Sequence, residues 1–157
     1  MPLIVCKFGG TSVASPERIQ MVAKRLIARK QAGNRVVAVV SAMGKTTDEL
    51  VGLAAALNEN PPAREMDRLL STGEQVSVSL CALALARLGV PAVSLCGWQM
   101  GLQTDGSHGS ARVLGLRGDR IEGRPLSPDF RYASDLVSFI RAQGHAFDIA
   151  AACYPEG

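Results

Sequence analysis

The sequence is poor in aromatic residues and in clustered charge. Only four Phe, two Tyr and one Trp occur among 157 residues, and the net charge is +3. Basic residues are interleaved with acidic ones along the chain. A nucleic-acid-binding surface requires clustered positive charge and aromatic side chains for base stacking, so we expect no nucleic-acid partner.

Cysteine and histidine pairs at metal-ligand spacing are also missing. The four cysteines stand far apart in apolar neighbourhoods; they are Cys6, Cys81, Cys96 and Cys153. A structural zinc site requires a motif such as CxxC, and a disulfide framework requires a denser cysteine pattern. The pattern predicts buried, reduced thiols and no metal site.

Long hydrophobic runs are absent, although 47% of the residues are hydrophobic. A membrane span requires roughly 18 uninterrupted apolar residues, and no basic region precedes the first apolar stretch as in a signal peptide. A chain of 157 residues can bury one core of ordinary size. We therefore expect a single cytoplasmic domain without a membrane partner.

What the sequence does contain is a strand-turn-helix pattern at its start. Leu3–Phe8 is a short apolar run that carries Lys7 near its end. Gly9 and Gly10 follow it, and residues 15–33 repeat apolar positions at helical spacing. Glycines between a strand and a helix let backbone N–H groups approach a phosphate, and a lysine adds a point charge. The alternative is an ordinary Gly-Gly turn beside a surface lysine.

A second strand follows, and it should pair in parallel with the first. Ser15 is typical of a helix N-cap and Gly33 of a helix end. The run Arg35–Val40 lacks polar alternation, as in a strand buried on both faces of a parallel sheet. Ligands of such βαβ units bind beyond the carboxyl ends of the strands. Residues 7–10 and 41–47 are therefore expected to meet at one edge.

The loop after the second strand is rich in hydroxyl groups. Ser41, Thr46 or Thr47 can hydrogen-bond a carboxylate or a phosphate. The alternative for the threonines is simple capping of a helix predicted over residues 48–57.

Two helices are predicted between residues 64 and 88, with a break at residues 71–73. The second helix begins at Glu74 and is apolar nearly all round, so we expect it to be deeply buried. At its first turn, Glu74 either stabilises the helix through the helix dipole or holds a substrate ammonium group. A third strand is predicted over residues 92–95, and His108 is interpreted as a polar loop residue rather than a catalytic base.

Four segments of the chain resemble the aspartokinase family in order and spacing. They are residues 7–14 (KFGGTSVA), 40–50 (VSAMGKTTDEL), 70–75 (LSTGEQ) and 97–112, the last with Thr104, Asp105, His108 and Arg112. The resemblance over residues 1–112 implies an amino-acid-kinase fold, a three-layer α/β/α sandwich with a mostly parallel sheet. It also implies transfer of the γ-phosphoryl group of Mg-ATP to the side-chain carboxylate of L-aspartate.

The resemblance implies roles for particular residues in this transfer. Lys7 meets the transferred phosphate. The phosphate-binding turn comprises Gly9, Gly10, Thr11 and Ser12, and L-aspartate is bound by Ser41, Thr47 and Glu74, the last through the substrate's amino group. Such a site works by positioning and electrostatics, without a covalent intermediate. The family's later Arg-Gly-Gly-Ser-Asp segment and its nucleotide-binding half are not recognisable here, which predicts low or no activity.

Residues 113–157 resemble methylenetetrahydrofolate reductase instead. The matching stretches include LRGD at 116–119, FRYASDLV at 130–137 and YPEG at 154–157, and the pattern is strand 113–119, helix 133–142 and strand 146–153. The resemblance implies one βαβ unit of a flavin-dependent TIM barrel, with Arg117, Asp119, Tyr132 and Tyr154 near FAD. One such unit cannot enclose a flavin, so FAD binding is not expected.

The two resemblances meet within one α/β domain, at a junction expected between residues 111 and 116. Residues 131–135 keep an Arg-x-x-Ser-Asp skeleton, so Arg131 and Asp135 would stand near Lys7 if the tail extends the kinase sheet. Tyr132 and Ala133, however, replace glycines that allow close approach. Two alternatives stay open: a non-catalytic recombined or engineered chimera, and a flavin or folate oxidoreductase fragment. Uncovered apolar edges would favour a homo-oligomer.

Overall fold

The computed structural model describes residues 2–116, and its first two strands form a parallel pair. β1 (Leu3–Phe8) and β2 (Arg35–Val40) are paired along their whole length, and α1 (Pro16–Gln31) connects them. The predicted βαβ unit is confirmed. Because the strands are parallel, the segments that follow them leave the sheet at the same edge.

The ends of α1 lie where the sequence predicts them. Ser15 Oγ accepts a hydrogen bond from the backbone N–H of Arg18 at 3.3 Å. Gly33 has a φ of +86°, a left-handed conformation that favours glycine after a helix. The buried face of the helix consists of Ile19, Val22, Ala23 and Leu26. This apolar stripe follows the helical spacing predicted for residues 15–33, and it faces the core.

The hydrophobic core lies between α1, the parallel pair and a long helix, α3 (Ala63–Arg87). Its buried members are Val13, Ile19, Val22, Leu26, Val40 and Cys81. Val13 belongs to a short 3-10 helix, Gly10–Val13, and is completely buried. Apart from Val40, the residues of β2 are only partly buried. The expectation of a strand covered on both faces is therefore wrong for the described residues.

The predicted break at residues 71–73 does not occur, because α3 is continuous and follows α2 (Thr46–Leu57). The hydroxyl of Ser71 donates to the carbonyl of Arg68 at 2.8 Å, and the hydroxyl of Thr72 donates to that of Leu69 at 2.7 Å. Both side chains thus bond within the helix instead of ending it. Gly73 is buried in the helix interior, where its small size serves packing. Glu74 consequently lies in mid-helix, and its predicted first-turn position is wrong.

The second half of α3 is also less buried than its apolar sequence suggests. Val76 is 50% exposed and Leu83 is 65% exposed, so deep burial on all sides is not observed. By length and composition, α3 is the one helix within residues 2–116 that could cross a membrane. The core helix of a soluble protein meets the same criteria, so this property carries no conclusion about a membrane.

The predicted strand at residues 92–95 is not formed. These residues are not assigned to a strand, and Val93 is 79% exposed. After a 3-10 helix, Gly97–Met100, the chain forms a hairpin in which β3 (Leu102–Thr104) pairs antiparallel with β4 (Val113–Leu116). A strand does begin at Val113 as predicted. Its partner is antiparallel, however, because an eight-residue hairpin loop at 105–112 is too short for the crossover that parallel strands require.

Several predictions fall on the tail and lie outside the described residues. They concern the reductase-like unit and its Arg117, Asp119, Tyr132 and Tyr154, the pair Arg131 and Asp135, and Cys153. The three cysteines that the structure does describe, Cys6, Cys81 and Cys96, are free thiols. Burial raises the pKa of the Cys81 and Cys96 thiols, which disfavours their thiolate forms.

Candidate functional site

The segments after β1 and β2 are joined by backbone hydrogen bonds. The N–H of Ser41 donates to the carbonyl of Phe8 at 3.1 Å, and the N–H of Gly44 donates to the carbonyl of Gly10 at 3.0 Å. The two candidate regions predicted to share one edge are thus held side by side. We call this region, residues 7–12 and 41–47, the loop edge.

The turn after β1 is open on one side. The N–H of Ser12 donates to the carbonyl of Gly9 at 2.9 Å and closes the turn. A methyl group at Gly9 would meet no atom within 4 Å, and the neighbouring Lys7 and Thr11 are exposed. The carbonyl of Thr11 accepts a hydrogen bond from the Arg18 guanidinium at 2.8 Å. The turn is therefore held by hydrogen bonds from the Ser12 N–H and the Arg18 guanidinium. Its outer side is accessible beside the exposed Lys7.

Gly10 faces inward and contacts the loop after β2. A methyl group at Gly10 would lie 2.7 Å from the carbonyl oxygen of Ala42, which is closer than non-bonded atoms can approach. Gly44 has a φ of +49°, and a methyl group there would lie 3.5 Å from the Cβ of Ala14. Gly10 therefore permits the close approach of the two segments, whereas Gly44 is favoured by its left-handed backbone conformation.

The third element at the loop edge is α3. The carboxylate of Glu74 accepts a hydrogen bond from the backbone N–H of Ala42 at 3.3 Å. Its neighbour Gly73 packs directly on this loop, since a methyl group there would lie 2.9 Å from the Cβ of Ala42. Although Glu74 is not at a helix start, it does reach the edge at which the sequence placed it.

The two threonines do not cap α2. Lys45 precedes the first residue of the helix and makes no side-chain capping bond, while the N–H of Thr46 already donates to the carbonyl of Met43 at 2.9 Å. The helix begins earlier than predicted, so the expected N-cap role of Thr46 or Thr47 is wrong. Thr47 lies in the first turn with an exposed side chain, and Ser41 is partly buried beside Ala42.

A buried aspartate that the sequence analysis did not single out fastens another loop to α3. Asp67 is 5% exposed, and its carboxylate accepts the backbone N–H of Gly109 at 2.8 Å. The Nδ1 atom of His108 lies 3.5 Å from the same oxygen. His108 is thus a loop residue beside a carboxylate. The signal for Asp67 was its spacing from Ser71 and Glu74, since positions i, i+4 and i+7 form one polar stripe on a helix.

Asp105 organises the same loop from within. Its carboxylate accepts the N–H of Arg112 at 3.1 Å and the N–H of Ser107 at 3.2 Å. These backbone hydrogen bonds, first that from Arg112, hold the pKa of Asp105 below its usual range. Asp67 and Asp105 together fix the loop between β3 and β4 against the helix that also carries Glu74.

The loop edge combines groups of complementary chemistry. Lys7 and the open turn offer positive charge and backbone N–H groups, which suit a phosphate. Glu74 offers a carboxylate, which suits an ammonium group, and Ser41 and Thr47 offer hydroxyl groups for polar contacts. Within residues 2–116, no group of three or more His, Cys, Asp or Glu side chains could hold a metal ion.

Comparisons with known sequences identify the family of this arrangement. Residues 2–123 match the Amino acid kinase family. The chain is 60% identical over 121 residues to an aspartokinase of Geobacillus stearothermophilus, covering 77% of this chain and 30% of that protein. It is also 60% identical over 116 residues to aspartokinase 2 of Bacillus subtilis, covering 74% and 28%. The chain thus spans less than a third of the length of these curated relatives.

A solved structure agrees with the sequence comparisons. The aspartate kinase from Synechocystis matches the structure with a TM-score of 0.61 and 60% sequence identity, over 62% of this chain and 17% of that chain. The α/β architecture predicted from the sequence is therefore that of a known kinase fold. Because the family match spans more than half of the chain, the chain belongs to the amino acid kinase family.

Proposed function

We propose that the chain provides the aspartate-binding and phosphate-contacting part of an aspartate kinase, which phosphorylates the side-chain carboxylate of L-aspartate with ATP. The observation that carries the proposal is the junction of three elements at the loop edge. The Gly44–Gly10 and Ala42–Glu74 hydrogen bonds hold the turn after β1, the loop after β2 and α3 together. The 60% identity to two aspartokinases supports the same reaction.

On the phosphate side, Lys7 and the turn of residues 9–12 contact the transferred group. Lys7 is exposed, and the space beside Gly9 is open, so a phosphate can reach both the ammonium group and the backbone of the turn. A fixed positive charge stabilises the charge on the transferred phosphoryl group without moving during the reaction. Magnesium enters with ATP as part of the substrate, where it neutralises phosphate charge.

On the amino-acid side, Glu74 binds the ammonium group of L-aspartate, and Ser41 and Thr47 make polar contacts with it. The Ala42 N–H bond directs the Glu74 carboxylate toward the loop edge. A substrate held there by its ammonium group can present its side-chain carboxylate toward the phosphate site. Holding both reactants in this way converts the transfer into an effectively unimolecular step.

The cellular setting and the tail belong to the proposal as well. An aspartate kinase of this type acts in amino-acid biosynthesis in the cytoplasm, and the exposed apolar side chains of α3 favour a homo-oligomer. The junction between residues 111 and 116, the reductase-like tail and the reduced activity stay predictions. FAD is not part of the proposed function.

The test is ligand-dependent thermal unfolding of the full 157-residue chain. L-Aspartate, Mg-ATP, both together and FAD are added separately, with D-aspartate as the matched control ligand. A ligand that binds only the folded state stabilises it by about 2.7 kcal/mol at a hundredfold excess over its dissociation constant. We expect the midpoint to rise with L-aspartate or Mg-ATP, and the rise to vanish in Glu74→Gln and Lys7→Ala respectively.

The control variant is Lys24→Ala, which removes an exposed lysine from α1 far from the loop edge in sequence. It should keep the full ligand response. Aspartate-dependent ADP release then tests the transfer itself. A cooperative transition that no ligand shifts would contradict the proposal and favour the non-catalytic chimera, and a yellow, FAD-stabilised protein would favour the oxidoreductase fragment.

A further inference from the structure

We propose that Ala42 is a positioning residue that couples the phosphate-binding turn to Glu74. It has no functional group to offer a substrate, yet it is 5% exposed at the centre of the loop edge. Two elements meet on its three parts: α3 contacts its N–H through Glu74 and its Cβ through Gly73, and the turn after β1 contacts its carbonyl oxygen through Gly10. The inference rests on the proposed function, because it assigns a role within that site.

The contact with α3 leaves no room for one additional carbon atom. A methyl group at Gly73 would lie 2.9 Å from the Cβ of Ala42. The Cβ of alanine is fixed by the backbone, so it cannot move aside as the end of a long side chain can. The other neighbours of that methyl group, the Thr46 methyl at 3.5 Å and a Leu50 methyl at 3.8 Å, are at ordinary contact distance. The spacing between the helix and the loop is thus set at Ala42.

The contact with the phosphate-binding turn is equally close but involves another atom. A methyl group at Gly10 would lie 2.7 Å from the Ala42 carbonyl oxygen. The Gly44 N–H bond to the Gly10 carbonyl fixes the other side of this contact. Any displacement of residue 42 therefore moves both the turn and the backbone donor that holds Glu74.

The hydrogen bond from Ala42 links this packing to the carboxylate. The N–H of Ala42 donates to Glu74 at 3.3 Å, and Gly73, the residue next to Glu74, sets how closely the helix approaches. A larger residue at position 73 separates the donor from its acceptor. The ammonium-binding carboxylate of Glu74 is then no longer held at a fixed position relative to the phosphate-binding turn.

The test is a rescue experiment on the full chain with Gly73→Ala, Ala42→Gly and the double variant. Gly73→Ala introduces the clash, and Ala42→Gly removes the Cβ against which the new methyl group presses. Gly52→Ala in α2 is the matched control, because a methyl group there would meet no atom within 4 Å. Gly10→Ala is a second control, since its clash is with a backbone oxygen that Ala42→Gly does not remove.

Two readouts are measured: hydrogen exchange of the residue-42 amide by NMR, and L-aspartate affinity by calorimetry. In Gly73→Ala we expect the amide to exchange at least about tenfold faster and aspartate to bind about tenfold more weakly, in line with loss of a hydrogen bond to a charged group. The double variant should regain the values of Ala42→Gly. Gly52→Ala should match the parent, and Gly10→Ala should be defective with or without Ala42→Gly.

The outcomes separate this inference from the proposed function. Unchanged exchange at residue 42 in Gly73→Ala would overturn the coupling, as would a double variant no better than Gly73→Ala. If the parent chain binds no aspartate, the proposed function fails, while the exchange data still decide whether Ala42 sets the Glu74 contact.

Discussion

The two halves of α3 invert the usual relation between polarity and burial. The first half buries polar or small residues at Asp67, Ser71 and Gly73. The second half is rich in large apolar residues, yet Val76 and Leu83 are 50% and 65% exposed. Burial along this helix thus follows the presence of a partner more than the hydrophobicity of the side chain.

The partners explain the difference. The loop of residues 105–112 supplies the Gly109 N–H to Asp67, and the loop edge supplies the Ala42 N–H to Glu74. Buried polar groups are stable only when they are hydrogen-bonded in this way. On the second half, Cys81 joins the core and Val78, Leu80, Ala84 and Leu85 pack against it. Val76 and Leu83 stay largely exposed within residues 2–116.

Asp67→Ala should cause the largest loss. It removes a buried carboxylate that accepts the Gly109 N–H, and hydrogen bonds to charged groups contribute up to about 3 kcal/mol to the free energy of unfolding. Urea unfolding followed by circular dichroism measures the change. Asp67→Asn is the matched control, because its amide oxygen can still accept the Gly109 N–H. Its loss in free energy of unfolding should be about half of that in Asp67→Ala. A stability equal to the parent would mean that this contact does not hold the loop.

Ser77→Val should destabilise the protein by about 2 kcal/mol. Ser77 is completely buried, and its hydroxyl donates to the Gly73 carbonyl at 3.2 Å. Valine adds volume where none is free and loses this bond, and overpacking of a core typically has an effect of this size. Ser77→Ala adds no volume and is the control. It should lose clearly less free energy of unfolding than Ser77→Val. If valine increased stability, the conclusion that burial along α3 follows the presence of a partner more than hydrophobicity would be wrong.

Asp105→Asn should alter the pH dependence of stability more than stability itself. The folded-state pKa of Asp105 is lowered by the N–H groups of Arg112 and Ser107. A carboxylate whose pKa is lower in the folded state stabilises it above the unfolded pKa, about 3.9, and loses that contribution as the pH falls through the folded value. Acid titration of the unfolding midpoint should therefore be flatter in Asp105→Asn below pH ~4. An identical acid profile would argue against these hydrogen bonds in solution.

Leu83→Ala should have the smallest effect. A buried leucine replaced by alanine loses about 2–5 kcal/mol, whereas an exposed one changes stability by less than about 0.5 kcal/mol. Because Leu83 is 65% exposed, we expect the small change, less than about 0.5 kcal/mol, in urea unfolding at low protein concentration. A loss of about 2–5 kcal/mol in the free energy of unfolding that grows with protein concentration would show that another copy covers this face.

Much of the fold could be read from local patterns. Leu3–Phe8, Arg35–Val40 and the helix after Ser15 were predicted with their ends, because apolar periodicity and capping residues act within a few positions of each other. The strand at residues 92–95 was predicted on the same grounds and is not formed, since a strand also requires a neighbour to receive its backbone hydrogen bonds. The break at residues 71–73 failed because hydroxyl side chains can also bond within a helix.

By itself, the sequence determined which segments are helical or extended at the start of the chain, and which residues share the edge after β1 and β2. It also carried the pattern of the kinase family. Only the tertiary structure decided that Glu74 reaches that edge from mid-helix, that Asp67 holds a distant loop, and that Ala42 lies between two glycines from separate elements. These features depend on contacts between residues more than 30 positions apart. Such contacts are set by packing, which no local pattern of residues encodes.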